Sequence, residues 1–274
     1  MRCLVSDPAV LGSGRADVQI ALAQPGDFTA YRRALRGVKE VFHLQGFLRD
    51  VRGMSIEQSN ALSAFQMTRE AQRAGIERLL LLSALGASPL RRARFLRAKA
   101  LAEGAVAGSG LDHAILAPSH TYANDDRWYS FAKRIRELPF VPVPAGHQAR
   151  FEPIAADDVA ACAVAALRRL RSGIDCGRRY ELAGPEIYDA HEIAQLVLRA
   201  VGARGRVVPA PTSAVRRLFR IAARLQGGKS WATIDELDLL LEPLISVRGT
   251  ADARELGVEP ATLLDALGIP AQAP

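Results

Sequence analysis

Lysine is scarce in this chain of 274 residues: Lys39, Lys99, Lys133 and Lys229 are all it has, so a formal charge of +7 rests almost wholly on arginine. Those arginines run the whole length, and the local clusters at 91–97 and 216–224 carry no aromatic residues interleaved to stack bases. That scatter argues against a nucleic-acid-binding stripe. Cysteine is nearly absent too: Cys3, Cys162 and Cys176 show no CxxC spacing, and the five histidines are equally dispersed. A disulfide framework and a metal site are therefore not expected. No apolar run approaches the ~18 residues of a membrane span, and no charged, then apolar leader is visible. The composition reads as an ordinary cytoplasmic globular protein with reduced thiols.

One further absence concerns the opening, "MRCLVSDPAVLGSG". A dinucleotide fingerprint needs its glycines directly after the first strand, so that a tight turn brings backbone to the pyrophosphate. Gly12 and Gly14 come too late after Val5, with Pro8 between, and fit a surface turn.

What is present is alternation. "RCLVS" (2–6), "VQIALA" (18–23), "VKEVFHL" (38–44), "ERLLLLSA" (77–84) and "DHAILAP" (112–118) read as strands. Helices are predicted at about 27–36, with Asp27 as cap, at 55–75, ended by Gly75, and at 91–110. Continuous apolar strands joined by helices imply a parallel sheet covered on both faces. After Pro118 come an aromatic-rich segment, the proline-punctuated "PFVPVP", a short "FEPI" strand, a helix within "AADDVAACAVAALRRL" (155–170) capped by Asp157 or Asp158, the strand "RRYELAGPE", and helices near 189–202, 212–226 and 233–242. The expected architecture is an α/β, Rossmann-like, mostly parallel doubly wound sheet from 1–118 and 150–185. A smaller α-rich cap is expected from 119–149 and 186–274.

Five stretches in order, "VFHLQG" (41–46), "LLLLSALGA" (79–87), "FLRAKALAEGAVAGSGLDHAILAPS" (95–119), "RFEPIAADDVAACAVAAL" (150–167) and "YELAGPEIYDAHEIAQLV" (180–197), carry a resemblance. The chain resembles the atypical, extended-type short-chain dehydrogenase/reductase superfamily, in the NAD(P)H-binding branch that includes relatives of the complex I accessory subunit. The resemblance implies that strand 2–6 matches the family's second strand. A first strand, glycine-rich turn and helix would then precede it, in the middle of the 3-2-1-4-5-6 order. Either further residues lie upstream of Met1 or the fold is remodelled.

The resemblance also assigns site residues. Ser83 falls at the catalytic serine position and Lys99 at the lysine of Tyr-x-x-x-Lys, where it would also hold a cofactor ribose. The tyrosine position reads Phe95, which has no proton to give. Ser6 stands where an arginine often meets a 2′-phosphate, Gln24 at the adenine edge, Gln45 and Gly46 in the loop flanking the adenosine, and Pro118–Ser119 where Arg-Pro-Ser is usual. His120, Tyr122 and Trp128 follow a strand's C-terminal end, where open α/β sheets bind ligands, and are the candidate substrate contacts. His120 or Tyr122 is also a conceivable substitute for the lost phenol. Each of these residues has a plain structural alternative: a solvated lysine, a serine bonded to nearby backbone, ordinary packing. His43, inside an apolar strand, is read as core.

The implied function is an oxidoreductase using NAD or NADP on a small carbonyl-type substrate. The alternative is a non-catalytic nucleotide sensor or assembly scaffold that kept the fold; a third possibility is an isomerase-like enzyme that needs no tyrosine.

Overall fold

The computed structural model describes residues 1–24, 26–51, 53–123, 130, 132–133, 135–145, 149–226 and 233–268. Its central layer is a four-stranded parallel sheet in the order β10-β5-β4-β3. The strands are β3 (Glu40–His43), β4 (Arg78–Leu82), β5 (Asp112–Pro118) and β10 (Arg178–Leu182). In β4 every apolar residue is used. Leu80 and Leu82 pack into a cluster with Leu116, Ile154, Cys162, Tyr180 and Leu182 on one face. Leu79 and Leu81 pack with Tyr31, Val41, Met67 and Ile115 on the other. Successive side chains point to opposite faces, so a strand covered on both sides must be apolar throughout.

Three helices cover the second face: α1 (Thr29–Ala34), α2 (Ser63–Ala74) and α3 (Arg94–Ala107). Asp27 does not cap α1 as expected: Phe28 is the N-cap and makes no side-chain cap bond, while Asp27, one residue earlier, accepts the Thr29 backbone N–H at 3.2 Å. Gly75 ends α2 at φ 68° in the left-handed region, where glycine carries no Cβ penalty. A π-helical turn, Gln58–Leu62, precedes α2. The first face is covered by α4 (Ala156–Arg171). Neither Asp157 nor Asp158 caps α4, contrary to expectation: Ala155 is the N-cap, and both acids sit in the first turn, where the helix dipole favours them. Asp158 instead accepts the Ala261 N–H at 2.8 Å and ties the C-terminal segment to α4.

The sheet is not continuous. β1 (Arg2–Val5) and β2 (Gln19–Leu22) form their own parallel pair, and no ladder among the described residues joins β1 to β3. The break falls at the place that the 3-2-1-4-5-6 order gives to the strand between them. Side chains hold the pair: the Arg2 guanidinium donates to the carbonyls of Ala34 (2.7 Å) and Arg36 (2.8 Å) at the end of α1, and Leu4 packs on the cluster around Tyr31. β1 runs into a 3-10 segment, Pro8–Asp17. Gly12 there has φ 53° but nothing within 4 Å of a Cβ built on it, as a surface turn requires.

Beyond β5 the chain forms short pairs. β6 (Thr121–Tyr122) pairs with β9 (Ile154–Ala155), and β8 (Arg150–Phe151) pairs antiparallel with β11 (Tyr188–Asp189). β7 (Phe140–Ala145) pairs parallel with β12 (Arg206–Pro211), a strand the sequence reading missed. Arg206 N donates to Pro139 O, so by alternation Pro142 and Pro144 face the free edge, where a missing N–H costs nothing and a further strand cannot pair. α5 (Ala190–Ala200) opens with the capping box Asp189/Glu192. α6 (Thr212–Gln226) follows, then α7 (Ile234–Leu240), opened by the box Thr233/Glu236. α8 (Ala251–Glu255) and α9 (Leu263–Ala266) complete the described chain. No described helix is long and apolar enough to cross a membrane.

Candidate functional site

The C-terminal ends of β3 and β4 and the first half of α3 meet at Lys99. Leu96 and Ala102 anchor α3 in the core, and this turns Lys99 inward, 4% exposed. Its Nζ donates to the Leu82 carbonyl at 2.7 Å and lies 5.6 Å from the centre of the Phe95 ring, one helical turn back. Burial pushes the ammonium down to about 8, against a smaller opposing pull from Glu103. A lysine on a solvated helix face would show none of this.

Above Lys99 lies the turn after β3. A Cβ on Gly46 would stand 2.3 Å from Asn60 Oδ1 and 3.1 Å from Lys99 Nζ, so only glycine lets the backbone pass there. Asn60 comes from the π-helical turn. Its Nδ2 donates to the carbonyls of Phe47 (3.0 Å) and Ile56 (2.9 Å), which fixes the amide, while Oδ1 is buried without a partner. Ser59 Oγ accepts the Phe47 N–H at 3.3 Å. Gln45 is held through Oε1 by the Tyr31 hydroxyl at 2.6 Å. No sequence signal marked Asn60, although π-turns recur at functional sites.

Ser83 is placed differently. Its hydroxyl donates to the Glu103 carboxylate, which also receives Arg179 Nε at 3.0 Å; Arg179 further reaches the Ala84 carbonyl and Glu181. Ser83 therefore joins a charged network on α3 and β10, its hydroxyl turned to Glu103 and not to Lys99. Ser119 Oγ donates to the Leu244 carbonyl at 2.8 Å and receives the Glu152 N–H at 3.3 Å, stapling β5 to the later segment, and Pro118 ends β5 opposite Leu182. Ser6 and Gln24 are exposed just beyond the ends of the separate β1–β2 pair.

His43 is buried, and its Nε2 is 3.2 Å from Ser63 Oγ. Ser63 gives its own proton to the Ser59 carbonyl, so His43 Nε2 is the donor. Burial first, then the Lys99 charge, lowers His43 to about 3, as befits a neutral core residue. His120 packs edge-on against Phe151 with ring centres 4.8 Å apart; its Nε2 is buried without a partner, and burial lowers it to about 4. The Tyr122 hydroxyl donates to the Thr262 carbonyl at 3.2 Å, and burial raises its pKa. His120 and Tyr122 line an apolar cavity of about 260 Å³ between β6, β7, α5, α6 and α7. Trp128 lies outside the described residues.

The donor set at Lys99 matches one end of a nicotinamide dinucleotide. Two Nζ protons have no acceptor among the described residues, and Asn60 Oδ1 lacks a donor. A ribose diol can accept from the first and donate to the second. At the other end, the described turn after β1 offers no glycine cradle for a pyrophosphate.

Parallel strands covered by helices, with a buried lysine at their C-terminal ends, define a Rossmann-like α/β protein of the NAD(P)-binding kind. Comparison with known proteins agrees. A family model described as NAD(P)H-binding matches residues 1–169, and the chain belongs to that family. Over 192 residues it is 32% identical to NADH dehydrogenase [ubiquinone] 1 alpha subcomplex subunit 9, mitochondrial, of Arabidopsis thaliana. That match covers 68% of this chain and 46% of the relative, so the chain spans less than half the length of that protein. Among solved structures it resembles a nucleoside-diphosphate-sugar epimerase from Staphylococcus aureus (TM-score 0.72, 16% identity, 97% of this chain and 89% of the other). It likewise resembles an NADPH-dependent quinone oxidoreductase from Escherichia coli complexed with NADPH (0.70, 18%, 97% and 89%). A triphenylmethane reductase from Citrobacter sp. is similar as well (0.71, 14%, 98% and 90%). At such identities these structures establish the shared fold and nothing finer.

Proposed function

We propose that this protein is an oxidoreductase of the atypical short-chain class, which holds a nicotinamide dinucleotide across the C-terminal ends of β3, β4 and β5. The bound cofactor would supply the hydride. The chain's own part is to fix the ribose between Lys99 and Asn60, beneath the Gly46 turn. The buried, incompletely bonded Lys99 is the observation that carries this reading. A lysine that burial has brought to about 8 can also give up a proton near neutral pH. That is the office a phenol at position 95 would fill. The substrate is a small molecule with a carbonyl-type acceptor, lodged toward His120 and Tyr122. His120, neutral at pH 7, is not its acid.

A second reading, a nucleotide-responsive scaffold without turnover, is favoured by two observations together. Residue 95 is phenylalanine, and the Ser83 hydroxyl is committed to the Glu103 carboxylate, which Arg179 also holds. Thermal unfolding with NADH and with NADPH tests what the two readings share, because ligand at ~100 times its dissociation constant adds ~2.7 kcal/mol. A rise in midpoint that Lys99→Met abolishes supports the site; no rise with either nucleotide refutes it. Turnover on a carbonyl panel then separates enzyme from scaffold.

A further inference from the structure

We propose that the outer face of α6 docks on an anionic lipid bilayer, and that the apolar cavity behind it takes an uncharged long-chain molecule from that bilayer. The helix has two faces. Val215 and Ala222 are buried, whereas Leu218 and Ile221 are 42% and 45% exposed, one turn apart. Arg217, Arg220 and Arg224 stand exposed around them. Arg216 is paired with Asp238 at 2.6 Å; the other three arginines make no ion pair with a described residue, and the helix contains no acid. Apolar side chains ringed by unpaired cations suit a headgroup layer: the leucine and isoleucine enter the acyl boundary while the guanidinium groups meet lipid phosphates. An aqueous protein surface gains nothing from that pairing.

The cavity makes the same demand from inside. Among the described lining residues only His120, Thr121 and Tyr122 bring polar side-chain atoms; His120 is held neutral and the Tyr122 hydroxyl is already committed to Thr262. None of the described lining residues can neutralise a carboxylate or a phosphate, so against them a sugar nucleotide or an acid would be desolvated without compensation. At about 260 Å³ it exceeds the ~150 Å³ cavity that takes one benzene ring. Leu138 and Leu218 both line the cavity and are exposed, so two of its apolar wall residues also reach the outside. A chain-bearing substrate resident in a membrane satisfies both features. Its use as substrate rests on the oxidoreductase reading above; docking and chain binding do not.

The test uses the whole chain in two arms. In the first, it is sedimented with phosphatidylcholine vesicles, with or without phosphatidylglycerol. Binding is expected on the anionic vesicles alone, at least tenfold weaker for Arg217→Glu/Arg220→Glu and at least threefold weaker for Ile221→Ser, with unchanged circular dichroism. In the second arm, N-phenyl-1-naphthylamine fluorescence reports the cavity. 1-Dodecanol is expected to displace the probe, and Ala194→Trp, which fills the cavity, to prevent its binding. Absence from anionic vesicles at low salt, or binding that Ile221→Ser leaves intact, overturns the docking face; a probe that dodecanol does not displace overturns the chain site. NADH and NADPH thermal shifts run alongside: success in both arms with no nucleotide shift sinks the oxidoreductase reading alone.

Discussion

Lys99→Met separates stability from function at the central side chain. The folded protein holds an ammonium whose pKa falls from 10.5 to about 8, so keeping it charged at pH 7 costs about 3 kcal/mol at ~1.4 kcal/mol per pH unit. Methionine fills nearly the same volume without the charge. It leaves the Leu82 carbonyl without its donor, a loss of about 1–3 kcal/mol, and removes the contact with Phe95, worth about 1 kcal/mol. The variant is therefore as stable as the parent at pH 7, within about 2 kcal/mol, although a fully buried polar contact is gone. The pH dependence is the sharper readout. Between pH 8 and 10.5 the unfolded chain still holds the lysine proton that the folded chain has shed, so the parent gains stability as pH rises through this window. Lys99→Met lacks that gain, and the difference between the two proteins shifts by about 3 kcal/mol in the parent's favour across the window. Urea titrations at pH 7, 8, 9 and 10 measure it. A constant difference across the series, or a loss above 4 kcal/mol at pH 7, would refute the assignment of a buried, depressed ammonium.

Three further outcomes are expected. Phe95→Tyr places a phenol one helical turn from Lys99 and raises NAD(P)H-dependent turnover of carbonyl substrates by about 10²-fold, the lower end for a positioned acid, as followed at 340 nm; no change on a broad panel favours the scaffold. Gly46→Ala drives a Cβ to 2.3 Å from Asn60 Oδ1, whose amide is fixed by two carbonyls, so it lowers stability by about 1–3 kcal/mol and weakens nucleotide binding in calorimetry. Acid weakens the fold through two buried imidazoles. His43 and His120, lowered to about 3 and about 4, must stay neutral when folded, while the unfolded chain takes up protons below about 6.5. From pH 7 to pH 5 they remove about 2 kcal/mol each, and His120→Gln halves the slope seen in denaturant titrations.

The sequence alone determined the strands and helices of the sheet layer, because a strand buried on both faces needs an unbroken apolar run and a helix announces itself by period and punctuation. It also determined that position 95 lacks a proton and that Lys99 sits one turn away, since helical spacing needs no tertiary information. Only the tertiary structure decided that Lys99 is buried rather than solvated, that Ser83 turns to a Glu103 held by Arg179, and that Asn60 is left with an open acceptor. The bonds Asn60–Phe47, Lys99–Leu82, Ser83–Glu103 and Arg179–Glu103 join residues 13 to 76 positions apart, and nothing local encodes them. The same holds for Asp158, whose identity and position in α4 suggest a cap until the Ala261 N–H is found beside it. The gap between β1 and β3, too, is a property of pairing and not of either strand, for each reads as a sound strand by itself. Periodicity reports which face of an element is apolar; what that face meets is settled by the packing of the whole chain.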